Sequence, residues 1–444
     1  MDISLVIIFL GLLIVGAHVF NYFFDKIKIP NALLLTIVGI IIGPVLGFVH
    51  TEHFGKVGPV FTTITLIIII FNSGIGLRIQ DLGSALAPSL IFSISNFTIT
   101  AAVITVVAYI GGAENWITAA FIGAILGGTS SAVVIPIINQ VKVNKKAETI
   151  LMLESTLTDV LCLVVGLALF TAIRENAFSY QTIGEILWKS FLFSALLGIV
   201  TGVVWSLFLE RIRRLNNSTI LNLAMVFLVA GVTDKFGWNG GISALTFGIA
   251  LGNAHLFQMT FMAKVVQSKE LIKFEKSFLD EIAFIMQTYF FVYLGVSIKF
   301  GNPLLYLLGF IALAIILAVR PLAVRVSVWS KMPFKDLAIM SVMMPKGLVP
   351  AILASMPFQL GLAGGVFIRD FAFSVVLISL VVCSILVILI YRNLYFFPLL
   401  SRLFKGITEQ HQQEAEPLEN NEKAMSATLE KETSPVSAID PNSI

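Results

Sequence analysis

The sequence has little charge and almost no cysteine. Only 12% of its 444 residues are charged, whereas a soluble globular domain has about 25%, and 57% are hydrophobic. This composition argues against an ordinary soluble domain and is typical of a chain that lies in a lipid bilayer. The two cysteines, Cys162 and Cys383, fall in apolar segments. We therefore expect two small buried side chains and neither a disulfide nor a redox centre.

The sequence also lacks the local motifs of common enzymes and cofactor-binding proteins. It contains no glycine-rich phosphate loop, no metal-spaced set of cysteines and histidines, and no nucleophile elbow. Neither end of the chain carries a basic segment of the kind that binds nucleic acid. We predict that the protein is not an enzyme, needs no cofactor and binds no nucleic acid.

Long apolar runs fill most of the chain. A helix needs about 20 mostly apolar residues to cross a bilayer, and the runs predict about 13 spans. In chain order the predicted spans are Leu5–Phe24, Ala32–Val49, Val60–Leu77, Ser89–Ile110, Trp116–Ile138, Thr149–Ile173, Leu187–Leu209, Ile220–Thr233, Ile242–Phe257, Ile282–Ile298, Leu304–Val328, Leu337–Met356 and Phe371–Tyr391. Residues 1–400 are predicted to form one transmembrane unit, and the polar residues 401–444 a disordered tail.

Positive charge is distributed unevenly between the loops. Most Lys and Arg residues lie in the loops that follow odd-numbered spans, and short cytoplasmic loops retain positive charge. The odd-numbered loops are therefore predicted to be cytoplasmic, with the N-terminus outside the cell and the tail inside. The first run has no basic n-region or small-residue cleavage site, so we interpret it as a retained span of an inner or plasma membrane protein.

Two predicted spans are interrupted at corresponding positions. Span 5 carries the sequence GGTSS at residues 127–131, and span 12 carries MPKGLVP at residues 344–350. With an odd number of spans, the six-helix halves on either side of span 7 cross the membrane in opposite senses. Interrupted spans at matching positions of two halves are typical of transporters with inverted repeats. We predict an all-α polytopic protein with two inverted six-helix repeats and interrupted helices 5 and 12.

Few ionisable residues are predicted to lie inside the membrane, where a charge is costly unless it is paired, hydrated or neutralised. Span 6 contains ESTLTD at residues 154–159, which places the Ser155 hydroxyl and the Asp159 carboxylate on one helix face. Oxygen atoms suit a hard alkali cation, and Ser130, Ser131 or carbonyls freed at the break in span 5 could complete its coordination shell. Asp159 is the candidate carrier of a proton or a cation in turn.

Three further charges need partners. Arg320 in span 11 stays charged, so it requires an intramembrane carboxylate, and Glu154, on a different face of span 6 from Asp159, is the best candidate for a structural ion pair. Lys346 lies beside the break in span 12. It is predicted to offset the carbonyl groups at a helix C-terminus, or to act as a counter-charge that limits the positive charge in the site.

These segments resemble the NhaP-type sodium/proton antiporters of the monovalent cation:proton antiporter superfamily. The residues that carry the resemblance are ESTLTD at 154–159, DEIAF at 280–284 with Leu294-Gly295, RPLAV at 320–324 and PKGL at 345–348. The resemblance implies a homodimer of NhaA/NhaP-like fold, in which a six-helix core moves against a dimerisation domain. It also implies that Ser155 and the Thr129 region bind the cation with Asp159, and that exchange is electroneutral.

The sequence departs from the family pattern at three positions. Thr158 replaces the usual Asn, Ser130 replaces an acidic residue that commonly follows Thr129, and Ser73 stands where an acidic residue is often found in span 3. We include these three positions, together with Thr129, in the predicted cation site. The TSSA sequence at 129–132 is more similar to potassium/proton exchangers, so sodium, potassium and lithium all stay open, with sodium as the main prediction. The alternatives are a potassium/proton exchanger or a channel-like potassium-efflux protein.

Overall fold

The computed structural model describes residues 11–12, 14–16, 18–19, 30–49, 57–77, 86–141, 143–174, 180–213, 219–254, 273–328, 331–392 and 402–404. The helices bounded within these residues are α1 Asn31–Ile40, α2 Val57–Gly76, α3 Leu86–Ile110, α4 Trp116–Leu126, α5 Ser131–Val141, α6 Lys145–Arg174, α7 Tyr180–Ile212, α8 Thr219–Lys235, α9 Gly240–Gly252, α10 Lys273–Ser297, α11 Pro303–Ser327, α12 Phe334–Val342, α13 Leu348–Gln359 and α14 Gly365–Tyr391. A π-helical turn, Ile41–Val45, extends α1.

The helices are those of a multi-pass membrane protein. In the described part of the chain, seven helical segments are long and apolar enough to cross a membrane, and four shorter apolar helices accompany them. Predicted spans 2 to 13 each coincide with a helix or with a pair of half-helices. The prediction of an all-α polytopic protein is therefore confirmed, while most of predicted span 1 and almost all of the predicted tail lie outside the described residues.

Both predicted interruptions are present. Span 5 is broken between Leu126 and Ser131, which separates α4 from α5. Span 12 is broken between Val342 and Leu348, which separates α12 from α13. The glycine pair of the first break and Pro345 of the second explain why the helices stop, because glycine weakens a helix and proline has no amide hydrogen to donate.

Several helices are longer than the predicted spans. The span predicted from Ile282 begins at Lys273 as α10, and the span predicted from Leu187 begins at Tyr180 as α7. At the start of α10 the Glu275 carboxylate accepts hydrogen bonds of 3.0 and 2.8 Å from Arg213. A hydropathy pattern places the end of a span at the first charged residues. The backbone hydrogen bonds of the helix continue past them, so the helix is longer than the apolar segment.

The helices pack in two groups. The first, here called the core group, contains α3 to α6 and α11 to α14, and the second, the scaffold group, contains α1, α2 and α7 to α10. The groups meet where α6 lies against α7, α2 and α10 against α13, and α1 against α14. The scaffold group has its own apolar cluster, which includes Phe71, Phe247, Leu209 and Val226.

Close helix contacts in the scaffold group are duplicated. On α1 a Cβ at Gly39 would lie 2.8 Å from the Cα of Gly295 on α10, and it would overlap the carbonyl oxygen three residues before Gly295. On α9 a Cβ at Gly248 would lie 3.2 Å from the Cα of Gly74 on α2, and it would overlap the carbonyl oxygen three residues before Gly74. Spans 2 and 10 thus pack in the same way as spans 9 and 3. An inverted repeat requires this equivalence, and the predicted repeat is confirmed.

Candidate functional site

The two breaks cross in the middle of the core group, beside α6. The backbone N–H of Ser130 donates to the carbonyl oxygen of Pro345 at 2.9 Å. The Lys346 Nζ donates to the carbonyl oxygen of Gly128 at 2.7 Å. A Cβ on Gly347 would overlap the Ser130 side chain, so this close crossing requires glycine. The crossing leaves non-helical backbone inside the membrane, which is tolerated only where protein or a hydrated cavity surrounds it.

Asp159 on α6 faces the start of α5. Its Oδ2 accepts hydrogen bonds from the Ser131 hydroxyl at 2.6 Å and from the Ser131 backbone N–H at 3.2 Å. Ser131 is the first residue of α5, so the carboxylate lies at the positive end of a half-helix dipole. Within the described part of the chain, the other oxygen, Oδ1, has no hydrogen-bond donor, and Asp159 is 9% exposed. One oxygen is therefore anchored, and the other is free to take a proton or a cation.

Two side chains of α6 hold the first break in place. The Thr158 Oγ1 accepts the backbone N–H of Thr129 at 3.0 Å and donates to the carbonyl oxygen of Ser155 at 3.2 Å. The Cys162 Sγ accepts the backbone N–H of Gly128 at 3.0 Å. These contacts satisfy amide groups that the interrupted helix leaves without a helical partner.

Glu154 lies on another face of α6 and contacts Arg320. The Arg320 Nη1 lies 3.3 Å from Glu154 Oε1, and Nη2 lies 3.4 Å from Oε2. Both side chains are fully buried. The Arg320 Nε donates to the carbonyl oxygen of Met340 at 2.9 Å, and the guanidinium lies 4.9 Å from the centre of the Phe92 ring.

Glu154 has two further donors. The Asn96 Nδ2 and the Thr129 Oγ1 each donate to Glu154 Oε1 at 2.8 Å. The buried carboxylate is thus satisfied by an amide, a hydroxyl and a guanidinium, as a charge in an apolar environment requires. The cluster joins α3, α6, α11, α12 and the break between α4 and α5.

Lys346 is fully buried at the second break. Its Nζ contact with the Gly128 carbonyl places an ammonium group at the C-terminal end of α4, where the helix dipole is negative. Its backbone N–H donates to the Ser379 hydroxyl of α14 at 2.9 Å. The position is the one expected for a charge that offsets helix carbonyls, and the lysine also adds a positive charge to a core that contains Asp159 and Glu154.

The structure brings most of the predicted site residues together, but not all. Ser155 is buried on the Asp159 side of α6, and its hydroxyl donates to the carbonyl oxygen of Met152 at 3.0 Å, which leaves its lone pairs available. Ser73 is half-buried on α2 of the scaffold group. Among the described residues it has no hydrogen bond to Asp159 or Glu154, so its inclusion in the site has no contact to support it.

Sequence reasoning missed two participants and undervalued a third. Asn96 is a lone amide in an apolar span. The only feature of the sequence that points to its role is that a buried Glu154 needs hydrogen-bond donors. The apolar surroundings of Cys162 in the sequence predict a simple buried side chain, but its sulfur accepts a backbone hydrogen bond. The sequence indicates Ser131 only as one of several oxygen donors to a cation, yet its hydroxyl and its backbone N–H both donate to Asp159.

A polytopic helical protein with paired crossing breaks and a buried carboxylate beside them has the architecture of a secondary transporter. The family model described as sodium/hydrogen exchanger, transmembrane, matches residues 9–400. The match covers most of the chain, and the protein belongs to this family.

Individual relatives are more distant. The chain is 27% identical over 390 residues to the K(+)/H(+) antiporter NhaP of Alkalimonas amylolytica, an alignment that covers 85% of this chain and 65% of that protein. It is 26% identical over 378 residues to the Na(+)/H(+) antiporter 1 of Methanocaldococcus jannaschii, and this alignment covers 80% of this chain and 83% of that protein. The alignment with the K(+)/H(+) antiporter NhaP2 of Shewanella baltica spans 61% of that relative's length.

A solved structure has the same fold. The sodium proton antiporter MjNhaP1 from Methanocaldococcus jannaschii superposes with a TM-score of 0.69 at 22% sequence identity. The superposition covers 86% of this chain and all of the other chain. At this identity the similarity establishes the fold and not the transported ion.

Proposed function

We propose that the protein is a secondary active antiporter that exchanges a monovalent cation for a proton by alternating access, and that it is not an enzyme. The observation that carries the proposal is the geometry of Asp159. Its carboxylate is anchored through one oxygen to Ser131, has a second oxygen without a donor among the described residues, and lies where two broken helices cross. A proton and a cation compete for the same carboxylate, so binding of one releases the other.

Candidate oxygen donors for the cation lie on the same helix as this carboxylate or at the neighbouring break. Ser155, Thr129, Thr158 and Ser130 are buried on α6 or at the break in span 5, and hydroxyl and carbonyl oxygens suit a hard monovalent cation. We assign the cation site to these residues with Asp159. Glu154 and Arg320 form a structural brace, and Lys346 supplies the counter-charge.

The transported cation is proposed to be sodium, with potassium or lithium as the alternatives. Relatives of similar identity are named for potassium and for sodium, so kinship favours neither. Ser130 stands where the family pattern commonly has an acidic residue, so the site of this chain is less acidic than that pattern. The likeness of residues 129–132 to potassium/proton exchangers supports the potassium alternative. Because one carboxylate handles both ions, the exchange is one cation for one proton and electroneutral.

The two helix groups supply the moving parts of the proposal. The core group contains the site and both breaks, and the scaffold group has its own apolar cluster. We propose that the core group moves against a scaffold group that forms a homodimer in the lipid bilayer of the cell membrane. The N-terminus lies outside, residues 1–400 form the transporter and residues 401–444 form a cytoplasmic tail.

Exchange in proteoliposomes tests the proposal. Purified protein is reconstituted with an internal pH dye, and sodium, potassium and lithium are added in turn at several pH values. Asp159→Asn should abolish cation-dependent proton movement. Asp234→Asn is the matched control, because Asp234 lies at the end of α8 in the scaffold group and accepts a hydrogen bond from the Gly240 backbone. Its exchange should persist.

Two results would contradict the proposal. Full exchange in Asp159→Asn would show that the carboxylate does not carry the ions. Unitary currents in a planar bilayer would identify a channel, because a carrier that moves one ion per conformational cycle gives no such currents.

A further inference from the structure

We propose that Asn96 is a positioning residue that sets the affinity of the site for its cation, acting through Glu154 and Thr129. The inference rests on the proposed exchange function and adds a residue to it. Asn96 lies in the middle of α3 and is 2% exposed. It touches neither Asp159 nor the position assigned to the cation, so any effect on cation binding must pass through the groups that it contacts.

The distances around Glu154 show what Asn96 does. Glu154 Oε1 accepts short hydrogen bonds of 2.8 Å from Asn96 Nδ2 and from Thr129 Oγ1. The contacts with Arg320 are longer, at 3.3 and 3.4 Å. Charge-assisted N–H···O bonds are usually 2.7–2.9 Å. The carboxylate is therefore drawn toward the amide and the hydroxyl and away from an ideal two-bond pairing with the guanidinium.

The Arg320 guanidinium is fixed in position, so it cannot move with the Glu154 carboxylate. Phe92, one helical turn before Asn96 on α3, lies against Arg320, and the Met340 carbonyl fixes Arg320 Nε on another side. One face of α3 therefore carries both the Phe92 ring, which restricts the Arg320 guanidinium, and the Asn96 amide, which orients the Glu154 carboxylate. Residues spaced by four on a helix share a face, which explains how one helix does both.

The orientation of Glu154 determines what Thr129 can offer a cation. A hydroxyl has one hydrogen and two lone pairs. The Thr129 hydrogen is given to Glu154, and one lone pair faces Arg320 Nη1 at 3.4 Å. Among the described residues, no donor contacts the remaining lone pair. Thr129 lies two residues before the Ser131 that binds Asp159, so this oxygen lies at the same break as the proposed cation site.

Loss of the Asn96 amide should disturb this arrangement. Without the pull from α3, Glu154 can close on Arg320 and leave the Thr129 hydrogen without its acceptor. The hydroxyl can then rotate and direct its hydrogen, instead of its lone pair, toward the cation. Cation binding should weaken, while the movement of the loaded core group should change little.

The test compares Asn96→Leu, which keeps the branch at Cγ but cannot donate a hydrogen bond, with Asn222→Leu. Asn222 is a fully buried asparagine in α8 of the scaffold group, and its carbonyl oxygen accepts a hydrogen bond from Trp205 at 2.8 Å. In proteoliposome exchange, Asn96→Leu should raise the apparent KM for the cation about tenfold, which is near the lower end of the effect of losing one charge-assisted hydrogen bond. Turnover at saturating cation should stay within about twofold. Asn222→Leu should leave the KM unchanged.

A double-mutant cycle separates positioning from general destabilisation. If Asn96 acts through Thr129, then Thr129→Val alone should raise the KM, and adding Asn96→Leu should raise it little further, because coupled residues are not additive. Asn96→Ala, which removes the same hydrogen bond with less bulk, replaces the leucine variant if that variant does not fold.

An unchanged KM in Asn96→Leu or Asn96→Ala, or effects that simply add to that of Thr129→Val, would overturn the inference. Absence of exchange in the wild-type protein would instead overturn the proposed function. The two failures are therefore distinguishable.

Discussion

Replacing Arg320 by alanine removes the cation that pairs with Glu154 and leaves a carboxylate with no exposed surface in the middle of the core group. Breaking one side of a buried ion pair costs about 3 to 5 kcal/mol, because the remaining charge keeps its desolvation penalty. Here Asn96 and Thr129 still donate to Glu154, which reduces that penalty.

The same substitution has two further costs. The Met340 carbonyl loses its donor, at about 1 kcal/mol for one net hydrogen bond. The contact between the guanidinium and the Phe92 ring is also lost, at about 1 to 2 kcal/mol for a desolvated pair. These losses offset the help from the remaining donors. We therefore expect Arg320→Ala to lower the free energy of unfolding by about 3 to 5 kcal/mol.

Unfolding in detergent micelles, followed by helical circular dichroism, measures this loss. The matched control is the double variant Arg320→Met with Glu154→Gln. It removes both charges, retains an oxygen that can accept from Asn96 and Thr129, and should recover most of the lost stability, since neutral replacement of a buried pair is often tolerated. An unfolding midpoint of Arg320→Ala equal to that of the wild type would refute the reasoning and show that the brace does not stabilise the fold.

Three other outcomes are expected. The apparent affinity for the cation should fall as pH falls, because protons compete at Asp159; an affinity that does not change with pH in flux assays would contradict the shared site. Gly347→Ala should reduce exchange strongly, because a Cβ would overlap Ser130 at the crossing, whereas Gly231→Ala on α8, with nothing within 4 Å of the new atom, should retain it. Removal of residues 409–444 should leave exchange in proteoliposomes intact if that segment is a disordered tail, and loss of exchange would give the tail a structural role.

The breaks and the brace could be predicted from the sequence because each has a local cause. Glycine pairs and proline within an apolar run weaken a helix wherever the helix packs. A permanently charged Arg320 in a span requires a carboxylate, and the helical spacing of Glu154 and Asp159 indicates that they face different neighbours. These arguments need no knowledge of the tertiary structure.

The rest of the site depends on which helices meet. Asn96 could not be assigned to Glu154 without knowing that α3 lies against α6, and many polar residues in spans serve only as contacts between helices. The role of Cys162 also depends on which segments are in contact. Its sulfur reaches a backbone amide only because Gly128 permits a close approach. Ser73 is the converse case, since the family pattern places it in the site and no hydrogen bond among the described residues joins it to Asp159 or Glu154.

The duplicated glycine contacts have a consequence for the direction of exchange. The same close helix contact occurs twice, as Gly39 against Gly295 and as Gly248 against Gly74. The two copies have opposite orientations across the bilayer. A scaffold group with this internal symmetry contacts the core group in similar ways on the two sides of the membrane, so it favours neither inward nor outward movement of the core group. The net direction of exchange is then set by the ion gradients. A difference in rate between the two directions must come from parts of the chain that have no inverted counterpart.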